Sequence, residues 1–133
     1  MTWQAGAELA ELSFSVTRAD LVRYAGAAGD FNPIHWSERV ARSVGLPGVI
    51  AHGMYTMALA GRALTEWVRD PAAVVSFGTR FARPVEVPDD DVGTTVRVGG
   101  RVLSVRDGLA TLSLTVTSGD AKVLGATEAV VRC

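Results

Sequence analysis

The sequence predicts an α+β fold in which a curved antiparallel sheet wraps around one long central helix. Two observations carry this expectation. From Gly53 to about Arg69 the chain is apolar nearly all round, with Met54, Tyr55, Met57, Leu59, Leu64, Trp67 and Val68 and no charge before Arg62; a helix of that composition must be buried. After Val75 the pattern changes to strict alternation, and the runs are separated by the turn signals Asp107-Gly108 and Ser118-Gly119-Asp120, so the strands are linked as hairpins and pair antiparallel. A sheet with one apolar face and a single buried helix hides both surfaces when the helix lies on the concave side.

The elements follow in chain order. Leu12 to Val16 alternates apolar and polar and reads as a short strand. Thr17-Arg18-Ala19-Asp20 is a capping-box start for a helix through Leu21, Val22, Tyr24 and Ala25, ending in the glycines between Gly26 and Gly29. Asp30-Phe31-Asn32-Pro33 is a turn, because Asp and Asn accept local backbone hydrogen bonds and proline fixes its own φ. Ser37 caps a short helix to Val44, and Gly45-Leu46-Pro47-Gly48 ends it. The central helix is roughly 25 Å long at about 1.5 Å per residue, and Ala58, Ala60, Gly61 and Ala63 let the sheet approach it closely. Asp70-Pro71 closes it. Val75, Phe77, Thr79 and Phe81 form the next strand; Val96 and Val98 lead through Gly99-Gly100, read as a bulge, to Val102 and Val105. Ala110, Leu112, Leu114 and Val116 alternate with Thr111, Ser113, Thr115 and Thr117, and a last strand runs from Lys122 to Val131.

At 133 residues the chain reads as a single domain over 1–133, large enough to fold on one hydrophobic core without metal or disulfide staples. Its single cysteine, Cys133, has no intrachain partner, which points to a cytoplasmic address. The stretch MTWQAGAELAEL lacks the basic start and apolar run of a signal peptide, and no apolar run is long enough for membrane insertion. Thirteen basic against fourteen acidic residues give a net charge of −1. That balance, with no basic run interleaved with aromatics, excludes nucleic acid as a partner. Twelve of the thirteen basic residues are arginine, Lys122 being the exception. Arginines such as Arg39, Arg62, Arg80 and Arg83 are read as solvated or structurally paired, as most surface charges are.

The chemistry concentrates in Gly29-Asp30-Phe31-Asn32-Pro33-Ile34-His35, which sets a carboxylate and an imidazole five residues apart across a turn, and in Ala51-His52-Gly53-Met54, where Gly53 opens the central helix eighteen residues after His35. General acid/base chemistry needs two titratable groups facing one reacting atom. A helix N-terminus supplies free N–H groups and a dipole for a developing oxyanion. Together these are the parts for adding or removing water beside a carbonyl. His52 is read as structural, and Met54, Met57, Trp36 and Trp67 as core residues rather than the lining of an acyl tunnel. Two histidines and one aspartate at this spacing match no metal-ligand pattern, so neither metal nor other cofactor is expected.

The wording GDFNPIH followed by AHGM resembles the hydratase motif of the MaoC-like family, hotdog-fold enzymes that interconvert trans-2-enoyl and (3R)-3-hydroxyacyl thioesters. The resemblance extends to RADLVRYAG, the central helix and TRFARPV, which are most similar to the catalytic subunit of (3R)-hydroxyacyl-ACP dehydratases of the mycolic-acid type. It implies that Asp30 and His35 are catalytic, that Gly53 offers its N–H to the thioester oxygen, that Asn32 supports them, and that the substrate is an acyl-ACP or acyl-CoA thioester. A single curved sheet with edge strands and an acyl tunnel along one helix leaves apolar surface for a second hotdog to cover, so at least a dimer is expected, preferably a homodimer; the resemblance to two-subunit dehydratases implies as the alternative a heterodimer with a second hotdog subunit. Some family members carry a serine partway along the central helix; the matching position here is Gly61, so no catalytic hydroxyl is assigned. Two other functions are consistent with a hotdog chain: a non-catalytic subunit that shapes a partner's acyl pocket, which needs neither Asp30 nor His35, and an acyl-thioesterase, which directs water at the carbonyl itself.

Overall fold

The computed structural model describes residues 3–133. In order the elements are β1 (Glu8–Val16), α1 (Arg18–Ala28), a 3₁₀ turn (Pro33–His35), α2 (Glu38–Ser43), α3 (Gly53–Val68), a second 3₁₀ turn (Pro71–Ala73), β2 (Val74–Phe81), β3 (Thr94–Arg106), β4 (Leu109–Ser118), β5 (Ala121–Lys122) and β6 (Leu124–Arg132). The strands form one antiparallel sheet in the order β1-β3-β4-β6-β2, with β5 paired to β4. The alternation in the sequence decides which face is inward. Ala110, Leu112, Leu114 and Val116 of β4 and Val96, Val98 and Val102 of β3 are buried, as are Leu59, Ala60, Ala63, Leu64 and Trp67 of α3, and all belong to one hydrophobic cluster. Each leucine or valine removed from water there is worth about 1.5–3 kcal/mol, so the seam between helix and sheet dominates the core.

Local signals place the connections. Thr17 Oγ1 accepts the Asp20 N–H at 3.3 Å and Asp20 Oδ2 accepts the Thr17 N–H at 2.9 Å, the reciprocal capping box expected at the start of α1. Gly29, at φ 71°, ends α1 in the left-handed region that glycine enters without strain. Ser37 Oγ accepts the Val40 N–H and caps α2.

Four expectations are corrected. The central helix is not enclosed all round: Met54, Ala58, Arg62 and Glu66, spaced four apart, form an exposed stripe. The sheet covers one side only, and beyond Met54 the stripe carries an alanine and two charged residues, which leave little apolar area in water. Gly99 and Gly100 are not a bulge, since they pair in register with Thr115 and Leu114. The irregularity lies opposite, where the register of β1 slips between Leu9 and Leu12; a Cβ on Gly100 would lie 3.0 Å from the Trp67 ring, so this glycine lets α3 lie on the sheet. That slip also explains why β1 begins at Glu8 rather than Leu12. It switches the buried parity from Leu9 to Val16 and hides the period of two. The last strand is divided at Val123, whose N–H donates to Val116 O while its carbonyl accepts from Ala82 and Arg83.

Among the described residues no helix is long and apolar enough to cross a membrane. Of the N-terminal stretch read for a leader, Met1 and Thr2 lie outside the described residues, and Glu8 to Leu12 belongs to β1.

Candidate active site

The site begins where α1 stops. Immediately after Gly29, the Asp30 carboxylate accepts the Asn32 N–H at 3.2 Å and Asn32 Oδ1 accepts the Ile34 N–H at 3.2 Å. Pro33 then opens the 3₁₀ turn that ends on His35. Asn32 therefore bears on Asp30 through its backbone, while its side chain caps the turn. Trp36 Nε1–H donates to Phe31 O at 3.0 Å and closes the loop from outside.

His35 is buried, and its Nδ1 lies 2.7 Å from Ile50 O. A carbonyl only accepts, so Nδ1 carries the proton and Nε2 presents a lone pair. That Nε2 stands 4.0 Å from Asp30 Oδ2. The gap is too wide for a direct hydrogen bond and narrow enough for one atom to touch both groups. The Ile50 carbonyl that orients the ring is itself held: Ile50 N–H donates to Ile34 O at 3.2 Å, Ala51 N–H to Val85 O at 2.8 Å, and Val87 N–H to Val49 O at 3.0 Å.

Glu38 anchors the same segment. Its Oε1 accepts the Val49 N–H at 3.1 Å and its Oε2 pairs with Arg18 Nη2 at 2.9 Å. The Arg18 hydrogen bond holds the Glu38 carboxyl below its ordinary value of 4.5, against an opposing effect of burial, with the Val49 N–H assisting. A depressed folded pKa gives stabilisation that is present above the unfolded value and lost as pH falls through the folded one. Glu38→Gln is thus expected to lower Tm relative to the wild-type chain at neutral pH. The difference should shrink on acidification below the ordinary carboxylate range; thermal melts of both proteins across pH 3 to 7 (about the range over which Glu titrates) check this.

α3 starts in the same place. His52 is its N-cap residue and makes no side-chain cap bond. Its carbonyl accepts from Tyr55 and Thr56, while the N–H groups of Gly53 and Met54 have no acceptor among the described residues, as expected for the first turn of a helix. Gly53 lines a cleft of about 360 Å³ with His35, Ile50, Thr56, Phe81, Arg83 and several apolar residues. A Cβ on Gly53 would lie 2.8 Å from the Phe81 ring, so the absence of a side chain also permits this close packing. Asp30 is not among the lining residues. Its half-exposed carboxylate sits beside His35 at the rim, so one molecule can touch both groups only there.

The lining residues not singled out as site residues from the sequence include Thr56, Phe81 and Arg83. Thr56 is buried and makes no side-chain hydrogen bond among the described residues, leaving a hydroxyl in the cleft wall; its position one helical turn after Gly53 is the signal that points to it. Phe81 and Arg83 arrive from the end of β2 and just beyond, a contact no local pattern announces. Trp67 is core, donating Nε1–H to Ala10 O at 2.7 Å. Met54, Met57, Trp36 and Trp67 do not line the cleft, whereas Met54 and Trp36 are more than half exposed rather than core.

Asp30, His35 and His52 bring potential ligand atoms within 4.8 Å of one another. They are a poor chelating set. The His35 and His52 rings stack with centroids 3.8 Å apart and planes 22° from parallel, so their in-plane lone pairs do not converge on one ion about 2 Å away. The His52 Nε2–H already donates to Asp30 O at 3.1 Å.

Comparison with known proteins agrees with this architecture. The family model described as MaoC like domain matches residues 4–119. The chain is 48% identical over 73 residues to 3-hydroxyacyl-thioester dehydratase X of Mycobacterium tuberculosis, covering 55% of this chain but only 25% of that protein. It is 35% identical over 122 residues to 3-hydroxybutyryl-CoA dehydratase of Methylorubrum extorquens, covering 91% of this chain and 75% of the relative. A solved structure described as a MaoC-like dehydratase superimposes with a TM-score of 0.94 at 37% identity, over 97% of this chain and 40% of that one. With the hotdog sheet, the central helix and the match over residues 4–119 in agreement, this chain belongs to the MaoC-like domain family.

Proposed function

We propose that the chain, as a single hotdog domain over 1–133, is an (R)-specific enoyl-thioester hydratase or 3-hydroxyacyl-thioester dehydratase, a hydro-lyase that needs no cofactor. The observation that carries this reading is the 4.0 Å opposition of His35 Nε2 and Asp30 Oδ2, with Gly53, whose N–H has no acceptor among the described residues, lining the same cleft as His35. In dehydration, His35 Nε2 removes the proton from the carbon next to the thioester carbonyl. The electron pair moves onto the thioester oxygen, which the Gly53 N–H meets at the positive end of α3. As the enolate collapses, the carbon–carbon double bond forms and the β-hydroxyl leaves as water, with a proton from the Asp30 carboxylic acid. In hydration the protons run backwards: the Asp30 carboxylate takes a proton from the attacking water and protonated His35 delivers one to carbon. The pair therefore starts each direction in opposite protonation states.

Acyl-ACP or acyl-CoA esters are the proposed substrates, within fatty-acid or polyketide-type metabolism in the cytoplasm. Hydration of a crotonyl thioester in the presence of the chain, followed by chiral analysis of the product, tests this. The expected product is the (3R)-alcohol alone, and a racemic or (3S) product contradicts the assignment.

The working unit is proposed to be at least a dimer of hotdog subunits. Asp30, His35 and Gly53 are each followed by a large apolar residue left more than half exposed, namely Phe31, Trp36 and Met54, and β2 is an edge strand carrying the exposed Val75. Such surface beside an open carboxylate fits a covering partner, and a homodimer is preferred to a pairing with a different chain. Mass in solution and activity of the purified chain alone discriminate the cases. A fully active monomer contradicts the dimer; activity that appears only with a second hotdog subunit contradicts the homodimer.

A further inference from the structure

The structure holds a second histidine that the proposed reaction does not use. His52 is 2% exposed, and its Nε2–H donates to the backbone carbonyl of Asp30 at 3.1 Å. One face of its ring stacks on His35, with centroids 3.8 Å apart and planes at 22°. Tyr24 of α1 meets the ring edge-on at 4.8 Å and in turn packs on Tyr55 at 5.2 Å. The ring's other nitrogen, Nδ1, is buried without a hydrogen-bond partner among the described residues. A leucine would fill comparable space without a stranded lone pair, so packing alone is a poor reason for an imidazole here. What the ring does and a leucine cannot is donate from Nε2 while offering a flat face.

We propose that His52 is a positioning residue, tying the Asp30 main chain and the plane of the His35 ring to the N-terminus of α3 so that acid, base and Gly53 N–H form one body. This rests on the reaction proposed above. The groups facing the ring are Asp30, His35 and Tyr24. Burial holds His52 below its ordinary value of 6.5, although the hydrogen bond with Asp30 O works the other way, which favours the neutral ring near pH 7. Holding reacting groups in register is the kind of contribution that small displacements destroy.

The test compares His52→Leu, which removes the donor, with His52→Gln, whose side-chain amide can place an N–H where Nε2–H was. His52→Leu is expected to lower kcat about 10- to 100-fold with KM little changed, and His52→Gln to recover to within about fivefold of wild type, with the pH profile keeping its shape. A readout independent of turnover is hydrogen exchange at the Asn32 amide, which donates to the Asp30 carboxylate. It should quicken several-fold in His52→Leu and not in His52→Gln, while amides in the middle of α3 are unchanged. If His52→Leu does not fold, His52→Asn, whose shorter amide reaches the Nδ1 position instead, should show the same loss. A folded His52→Leu or His52→Asn with wild-type kcat and unchanged Asn32 exchange overturns the proposal. So does a His52→Gln protein that is as inactive as His52→Leu and has lost a limb of the pH profile, since the ring would then be transferring a proton itself. A wild-type chain that fails to hydrate any enoyl thioester refutes the reaction instead, and the exchange comparison still decides whether His52 positions Asp30.

Discussion

Asp30→Asn and His35→Ala are each expected to slow hydration of an enoyl thioester by about 10² to 10⁴ while leaving the fold intact. The reaction needs one group to take a proton as another gives one, and the side chains at 4.0 Å are the titratable pair that faces a common point. Asparagine keeps the shape of Asp30 and an acceptor for the Asn32 N–H, so the loop should survive while proton transfer does not. Alanine at 35 removes the ring and its bond to Ile50 O, yet the 49–51 segment keeps its backbone bonds to Val85 and Val87. Circular dichroism and single-turnover kinetics on both variants check the prediction, and near-normal turnover in a folded variant removes that residue from the mechanism.

Gly53→Pro is expected to cost about 10² to 10³ in kcat, the range for loss of one oxyanion donor, and Gly53→Ala much less. Gly53 is the first residue of α3, where proline is tolerated because the N–H has no helical partner. The preceding residue, His52, has φ −58° and ψ 134°, a conformation compatible with a following proline. Both substitutions place a Cβ against the Phe81 ring, which lies at the exposed end of β2 and can move aside. Their difference therefore isolates the N–H. Equal kcat in the two folded variants argues that the thioester oxygen is held elsewhere, with the Thr56 hydroxyl in the cleft wall another donor on the same helix.

What was legible in the sequence is what short spans decide. Thr17 and Asp20 announce the start of α1, Asn32-Pro33 the turn that separates Asp30 from His35, and the alternation in β4 its inward face, because each depends on neighbours within a few residues. What could not be read depends on distant partners. Gly93, at φ 71°, has no room for a Cβ because it would collide with the Val16 carbonyl in β1, a contact between segments far apart in the chain. Gly100 likewise answers to Trp67, and Gly53 to Phe81. At the site, the residue types proposed as acid and base were legible, but the Ile50 carbonyl that decides the His35 tautomer is not encoded in the motif. Nor was the rim position of Asp30, which follows from how α1 meets the 3₁₀ turn. The two faces of His52 became visible only when the fold laid its ring between Tyr24 and His35.

The central claim is that the Asp30–His35 pair moves water across an enoyl thioester, and incubation of the purified chain with a crotonyl thioester tests it most directly, with enone absorbance and free thiol followed together. The account predicts loss of the enone with no thiol released. Thiol released in step with the fall in absorbance makes the chain a thioesterase, and neither change, including after addition of a second hotdog subunit, leaves it without the proposed chemistry; either result contradicts the account.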